Sequence, residues 1–125
     1  MSKKCYFCTL KDEEKLINAK LSFVILDGFP VTKDHSLIIL KRHVANFFDI
    51  TNEELLELND LLKLRKEQIL AEDDEVEGFN VGINIGLAAG QSIFHIHIHL
   101  IPRRFGDVEN PKGGVRGVIP SKRNY

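Results

Sequence analysis

The sequence predicts an α+β domain built on a mainly antiparallel sheet. Three observations carry this expectation: short apolar runs rich in β-formers and bounded by turn residues, one long amphipathic segment, and close succession of neighbouring strands. At 125 residues the chain has the length of one domain, and no repeat, low-complexity stretch or linker divides it, so residues 1–125 are read as a single unit.

The elements follow in order. Residues 10–20 are polar and read as a short helix or turn. Residues 21–26 (Leu-Ser-Phe-Val-Ile-Leu) form a strand that ends at the turn cluster Asp27-Gly28-Phe29-Pro30. Residues 36–40 (Ser-Leu-Ile-Ile-Leu) form a second strand running into Lys41-Arg42-His43. Thr51 followed by Glu54 matches a capping box, and Leu55, Leu58, Leu62 and Ile69 at helical spacing predict a helix over 52–71. Residues 79–84 alternate as a third strand. A small-residue turn at 86–90 leads to a fourth strand over 93–101, stopped by Pro102, with a loop-like remainder.

The bulk properties exclude little. Apolar residues make up 43% and charged residues 28%, with a net charge of −1, so composition argues for neither nucleic acid nor membrane binding. No apolar run approaches the ~18–20 residues of a membrane span, and the polar start Met1-Ser2-Lys3-Lys4 carries no leader-like core, so a cytoplasmic location is expected. Charge is uneven: residues 51–77 hold ten Asp/Glu and three Lys/Arg, whereas residues 102–125 hold six Lys/Arg and two Asp/Glu. A basic tail points mildly to a phosphorylated ligand, a solvated charged end being the commoner reason for one.

The fourth strand carries the chemistry. Alternation puts His95, His97 and His99 on one face and Phe94, Ile96, Ile98 and Leu100 on the other, expected to be core. Neighbouring imidazoles then lie ~7 Å apart and the outer pair roughly 13 Å apart, too far for all three to ligate one ion without a bend. Two neighbours such as His95 and His97 could still share a catalytic zinc.

His95-Ile96-His97-Ile98-His99-Leu100-Ile101 resembles the His-φ-His-φ-His-φ-φ signature (φ apolar) of the histidine triad family of nucleotide hydrolases and transferases. Asp27 to Val31 with His35 to Ile39 is similar to that family's nucleoside-binding hairpin, and Asn84 with Gly90-Gln91-Ser92 to its phosphate loop. Residues 107–120 resemble the tail of a microbial branch described as diadenosine-polyphosphate hydrolase-like. The resemblance implies a histidine-triad fold with a five-stranded sheet and one long helix, paired into a ten-stranded homodimer. It implies His97 as the nucleophile on the α-phosphorus, giving a nucleotidyl–histidine intermediate, with its second ring nitrogen held by a backbone carbonyl. Imidazole suits that role near neutral pH, and a covalent adduct splits one displacement into two. His99 and His35 are implied as phosphate partners. Gln91 and Ser92 are implied as phosphate or leaving-group contacts, Ser92 also as a proton donor, alongside Asn84 and Gly90. Asp27 is implied as the ribose acceptor, with Phe23, Leu26, Gly28 and Phe29 bordering the base.

Cys5-Tyr6-Phe7-Cys8 has the spacing of a metal half-site. With His97, His99 and His35 given to phosphate by the resemblance, His43 and His95 remain. Zinc-containing branches of the family use this set, which implies a structural zinc on Cys5, Cys8, His43 and His95. A redox pair and two unrelated thiols are the alternatives. Gly113 and Gly114, flanked by Lys112 and Arg116, are placed either on distal phosphates or in a solvated tail, and Arg103 and Arg104 either near substrate or at the surface. Asp34 and Leu40 stand where the family often has glycine and proline, so altered hairpin geometry is expected. Small Gly28 leaves base preference open. The expected activity is hydrolysis of a nucleotide phosphoanhydride or phosphoramidate. Nucleotidyl transfer to phosphate and a nucleotide-binding protein with little turnover are the alternatives.

Overall fold

The computed structural model describes residues 5–125; the polar start at residues 1–4 lies outside them. Five strands form one sheet in the order β1-β2-β3-β5-β4, every neighbouring pair antiparallel. The strands are β1 (Ile17–Asn18), β2 (Ser22–Leu26), β3 (Ser36–Leu40), β4 (Gly78–Gly82) and β5 (His97–Arg103). The α+β class and five-stranded sheet are therefore as expected. The short edge strand β1, however, falls in the polar stretch read as helix or turn.

The single long helix, α1 (Asn52–Glu72), packs across β2 and β3. Its capping box is formed: Thr51 Oγ1 accepts from the Glu54 amide, and Glu54 Oε1 accepts from the Thr51 amide at 2.8 Å. The buried stripe is Glu54, Leu58, Leu61, Arg65 and Ile69: Leu58 and Ile69 are buried as expected and Leu62 packs against the core, but Leu55 is exposed. Two charged residues sit on the core side because each has a partner. Arg42 forks onto the Glu54 carboxylate at 2.8 and 2.9 Å, and Arg65 Nε donates to Ser36 Oγ at 2.9 Å. Burying an unpaired charge costs far more than burying a paired one, so a leucine count alone misses the two charged positions of the stripe.

Strand alternation divides the core in two. Val24, Ile38, Leu40, Ile98 and Leu100 face Leu58, Leu61 and Ile69 of α1, while Phe23, Ile25, Leu37 and Ile39 face away and pack with Phe7. Central β3 is buried along its whole length, which explains its continuous apolar run. Register pairs Ile39 with His97 and Leu37 with His99, so both histidines stand on the face opposite the helix.

The histidine strand differs from the prediction at both ends. Residues 93–95 bend, Phe94 is 47% exposed rather than core, and pairing starts only at His97. At the other end Pro102 lies inside β5 opposite Phe79. Its carbonyl accepts from Thr32 Oγ1 at 2.8 Å, beyond the end of β3. A strand residue presents its N–H on the same side as its carbonyl, so the missing donor costs the β4 ladder nothing.

Beyond β5 the chain forms two 3₁₀ turns, Gly114–Val118 and Pro120–Lys122. Asp34 is the only non-glycine with positive φ among the described residues, at 69°. It takes the left-handed conformation that glycine adopts freely. No helix among the described residues is long and apolar enough to cross a membrane.

Candidate active site

His97 opens β5 immediately after the bend, and its Nδ1 lies 2.8 Å from the carbonyl oxygen of His95. A carbonyl can only accept, so Nδ1 carries a hydrogen, and in the neutral ring the lone pair is on Nε2. The ring is braced edge-on by Phe7 at 5.0 Å and by His99 at 5.3 Å between centroids.

His35 and His99 form a second unit. The Val31 amide donates to His35 Nδ1 at 3.1 Å, which places the His35 hydrogen on Nε2. That nitrogen is 2.9 Å from His99 Nδ1, so His99 accepts there and holds its own hydrogen on Nε2. Asp27 stands beside the pair. Its Oδ1 accepts from the Phe29 amide at 2.8 Å, and its Oδ2 lies 3.4 Å from His35 Nε2 and 3.9 Å from His99 Nδ1. Burial pushes the pKa of both histidines down, and Asp27 partly opposes this. The neighbouring His97 and His35 push His99 down further.

These groups line a cavity of about 780 Å³, roomy enough for a nucleotide-sized ligand. Asp27, His35, His97, His99, Asn84 and Ser92 form its polar side, and Tyr6, Phe7, Ile25, Phe29 and Leu37 its apolar side. Gly28 also borders it.

A second constellation lies against the first. Cys5, Cys8, His43 and His95 bring four donor atoms together. His95 Nδ1 is 3.5 Å from each sulfur and 3.1 Å from His43 Nδ1, which is 3.3 Å from Cys8 Sγ. Bond lengths of about 2.0 Å to nitrogen and 2.3 Å to sulfur separate tetrahedral donors by roughly 3.3–3.8 Å, and these four separations are near that range, so the donor set suits a zinc-like ion. His95 Nε2 donates to the Leu40 carbonyl at 2.6 Å, aiming the Nδ1 lone pair at the cluster. Burial lowers the His95 pKa, as a neutral ligand requires.

The HIT domain family matches residues 9–106 of the chain. The chain belongs to the HIT domain family. It is 38% identical over 104 residues to adenosine 5'-monophosphoramidase of Saccharomyces cerevisiae, covering 80% of this chain and 63% of that protein. It is 35% identical over 101 residues to AP-4-A phosphorylase of Mycobacterium tuberculosis, covering 78% of this chain and 51% of that protein. The chain thus spans only part of the length of both curated relatives. A crystal structure of a Zn-bound histidine triad family protein from Mycobacterium smegmatis matches with a TM-score of 0.76 at 30% identity, over 85% of this chain and 79% of that one.

Several expected positions in this HIT protein lie elsewhere. Gln91 is buried and its amide is spent on the backbone: Oε1 accepts from Gly86, and Nε2 donates to the carbonyls of Ala45 and Ile93. It braces the loop between β4 and β5 instead of facing phosphate. Gly90, with φ of 91°, turns that loop and does not border the cavity. Phe23 is buried in the core and Leu26 points from the opposite face of β2; Ile25 and Leu37 supply the apolar wall. The parity of β2, in which residues 25 and 27 share a face, is the signal that identifies Ile25.

The tail also departs from its distal-phosphate reading. Lys112 and Arg116 pack over the Tyr125 ring at 5.1 and 4.7 Å, outside the histidine cavity. Arg103 is held by Asp107 and Asn80, and Arg104 by Asp73. Tyr6 and Phe7 are cavity residues that a reading of the cysteine pair as a metal half-site alone overlooks.

Proposed function

We propose that this HIT protein hydrolyses a nucleotide phosphoanhydride or phosphoramidate through a nucleotidyl adduct on His97. The observation that supports this best is the His97 ring itself, tied through Nδ1 to a carbonyl and bordering the cavity, so that Nε2 is the nitrogen that carries the lone pair of the neutral ring. In this reading Nε2 attacks the α-phosphorus and the bond to the leaving group breaks. Ser92 supplies the proton that the departing atom takes up. The His99 Nε2–H faces the phosphoryl oxygens, where charge grows, and His35 holds His99 in the donating tautomer. Water then attacks the adduct, the phosphorus–nitrogen bond breaks, and the proton the water sheds returns to Ser92, so that His97 and Ser92 both regain their starting states. Asp27 accepts the ribose hydroxyls, Asn84 contacts phosphate, and the wall of Tyr6, Ile25 and Leu37 receives the base.

Cys5, Cys8, His43 and His95 hold a structural zinc in the same reading, which ties the amino-terminal loop to the sheet. The protein works as a homodimer, as its family resemblance implies. The similarity to a phosphorylase supports a second reading, in which inorganic phosphate replaces water in the second step.

A panel of dinucleoside polyphosphates and nucleoside phosphoramidates, assayed with and without phosphate, tests these readings. His97→Ala should lower kcat/KM by at least about a thousandfold on every active substrate. Phosphate-dependent release of a nucleoside diphosphate would select transfer. Nucleotide binding without turnover in the unaltered protein would reduce the chain to a binding module.

A further inference from the structure

Cys5 and Cys8 are the only two cysteines of the chain, and both belong to the four-donor cluster beside the cavity. The Cys8 amide donates to the Cys5 carbonyl at 3.1 Å, which closes a single turn between them. Such a turn holds its end Cα atoms within about 7 Å, and a disulfide spans about 4.4–6.8 Å. The two sulfurs can therefore be joined without unfolding the loop. Cys8 is exposed and Cys5 half-buried, so an oxidant from solvent meets Cys8 first.

The loop between these sulfurs is also a wall of the cavity. Tyr6 and Phe7 line it, and the Phe7 ring stands edge-on to His97 at 5.0 Å and to His95 at 5.8 Å. The His95 carbonyl that holds His97 Nδ1 lies ahead of the paired part of β5, which starts at His97. Its position therefore rests on the His95 ring. That ring has two tethers, the Leu40 carbonyl at Nε2 and the cysteine–histidine cluster at Nδ1.

We propose that the cluster is a redox-sensitive hold on His97, and that joining Cys5 to Cys8 disables the active cavity. The oxidant is a hydroperoxide. The Cys8 thiolate attacks one peroxide oxygen, the O–O bond breaks, and the sulfur becomes a sulfenic acid while the other oxygen departs as hydroxide. The Cys5 thiolate then attacks that sulfur and expels a second hydroxide. Two protons turn both hydroxides into water, so two thiolates, one hydrogen peroxide and two protons give one disulfide and two waters. Two negative charges vanish from the donor set, which then no longer holds a divalent ion. His43 and His95 are left facing each other at 3.1 Å, and the His95 ring keeps one tether of its two. The carbonyl ahead of His97 and the Phe7 brace loosen together. The consequence for turnover rests on the reading of His97 as the nucleophile.

Treating the whole, zinc-loaded protein with a modest excess of hydrogen peroxide tests this. The chain has a single methionine, Met1, and no tryptophan, so the two cysteines are the main targets. The peptide spanning Cys5 and Cys8 should lose the mass of two hydrogens, and a chromogenic chelator should collect about one zinc per chain. Imidazole nitrogen-15 spectra should show His97 pass from one Nδ1–H tautomer to a mixture. On an active substrate kcat should fall at least about tenfold, and a dithiol reductant with zinc should restore both spectrum and rate. A disulfide that leaves the His97 signals unchanged overturns the proposal, and so does an unchanged kcat. Thiols that stay reduced with zinc bound, or that pass to sulfinic acids no dithiol reverses, overturn it as well. If the reduced protein turns over no nucleotide, the proposed activity falls, while the His97 spectra still decide the redox hold.

Discussion

His97 hangs its Nδ1 hydrogen on the carbonyl of His95, 2.8 Å away, while the ring of that same His95 reaches Cys5, Cys8 and His43. One residue thus serves two neighbours, one through its backbone and one through its side chain. The backbone group that orients the candidate nucleophile is fixed by whatever fixes the His95 ring.

Metal content follows from this arrangement. Protein prepared without an affinity tag should carry about one zinc per chain. Chelation, or Cys8→Ser, should lower the melting temperature by several degrees, as expected for losing on the order of 1–2 kcal/mol or more in a domain of this size. A metal-free preparation whose melting is indifferent to chelator would count against the site.

Acid should weaken the join between helix and hairpin. The Arg42 fork holds the Glu54 carboxyl at about 2, against 4.5 when free. The unfolded chain therefore binds the proton first, so the stabilisation is whole above pH 4.5 and is lost as pH falls toward 2. Arg42 is half exposed, which limits the contribution to on the order of 1–2 kcal/mol. Denaturant melts at stepped pH should show this fall, and Glu54→Gln should flatten it.

The turn before His35 offers a contrast between two substitutions. Asp34 sits at φ 69°, a conformation that strains β-branched residues most. Asp34→Val should destabilise by roughly 2 kcal/mol, while Asp34→Gly should stay within about 1 kcal/mol of the parent. Equal melts for the two variants would contradict the assigned backbone.

Beneath that turn, Arg65 Nε donates to Ser36 Oγ, and Ser36 Oγ donates to the Asp34 carbonyl, so a buried arginine props the segment that carries His35. Arg65→Met keeps most of the volume but removes the donor to Ser36 Oγ, leaving that hydroxyl only its bond to the Asp34 carbonyl, and should cost about 1–3 kcal/mol. It should also lower kcat more than it raises KM. An unchanged kcat would confine Arg65 to stability.

Gly113 provides a control at the far end of the chain. A Cβ there would lie 2.5 Å from the Arg123 carbonyl oxygen, on a backbone with φ of 96°. Gly113→Ala should loosen the terminal turns, detectable by faster proteolysis after residue 106, and leave turnover at His97 within about twofold. Loss of activity would show that the tail supports the cavity.

The sequence made the middle of the fold legible where local signals agree. The run from Ser36 to Leu40, the Thr51 capping box and the His97/His99 alternation each announce their structure through period or cap. It failed where partners distant in the chain decide the outcome. Glu54 and Arg65 are buried only because Arg42 and Ser36 meet them. Gln91 looks like a polar loop residue until three backbone groups claim it. Spacing alone supplies Cys5 and Cys8 and nothing to complete them; only the family resemblance adds His43 and His95. Pro102 inside a strand was unreadable without knowing that Thr32 lies opposite it.

The cysteine cluster closes a loop of 90 residues, from Cys5 to His95, and the His35–His99 contact spans 64. Contacts of such range come late, since the entropy of closing the chain must be met before they contribute. A ribosome-bound chain that ends before β5 therefore has its helix and first hairpin but neither constellation. Both become possible only when one short stretch, residues 95–99, is delivered between partners already in place, so the candidate nucleophile is among the last parts of the molecule to exist.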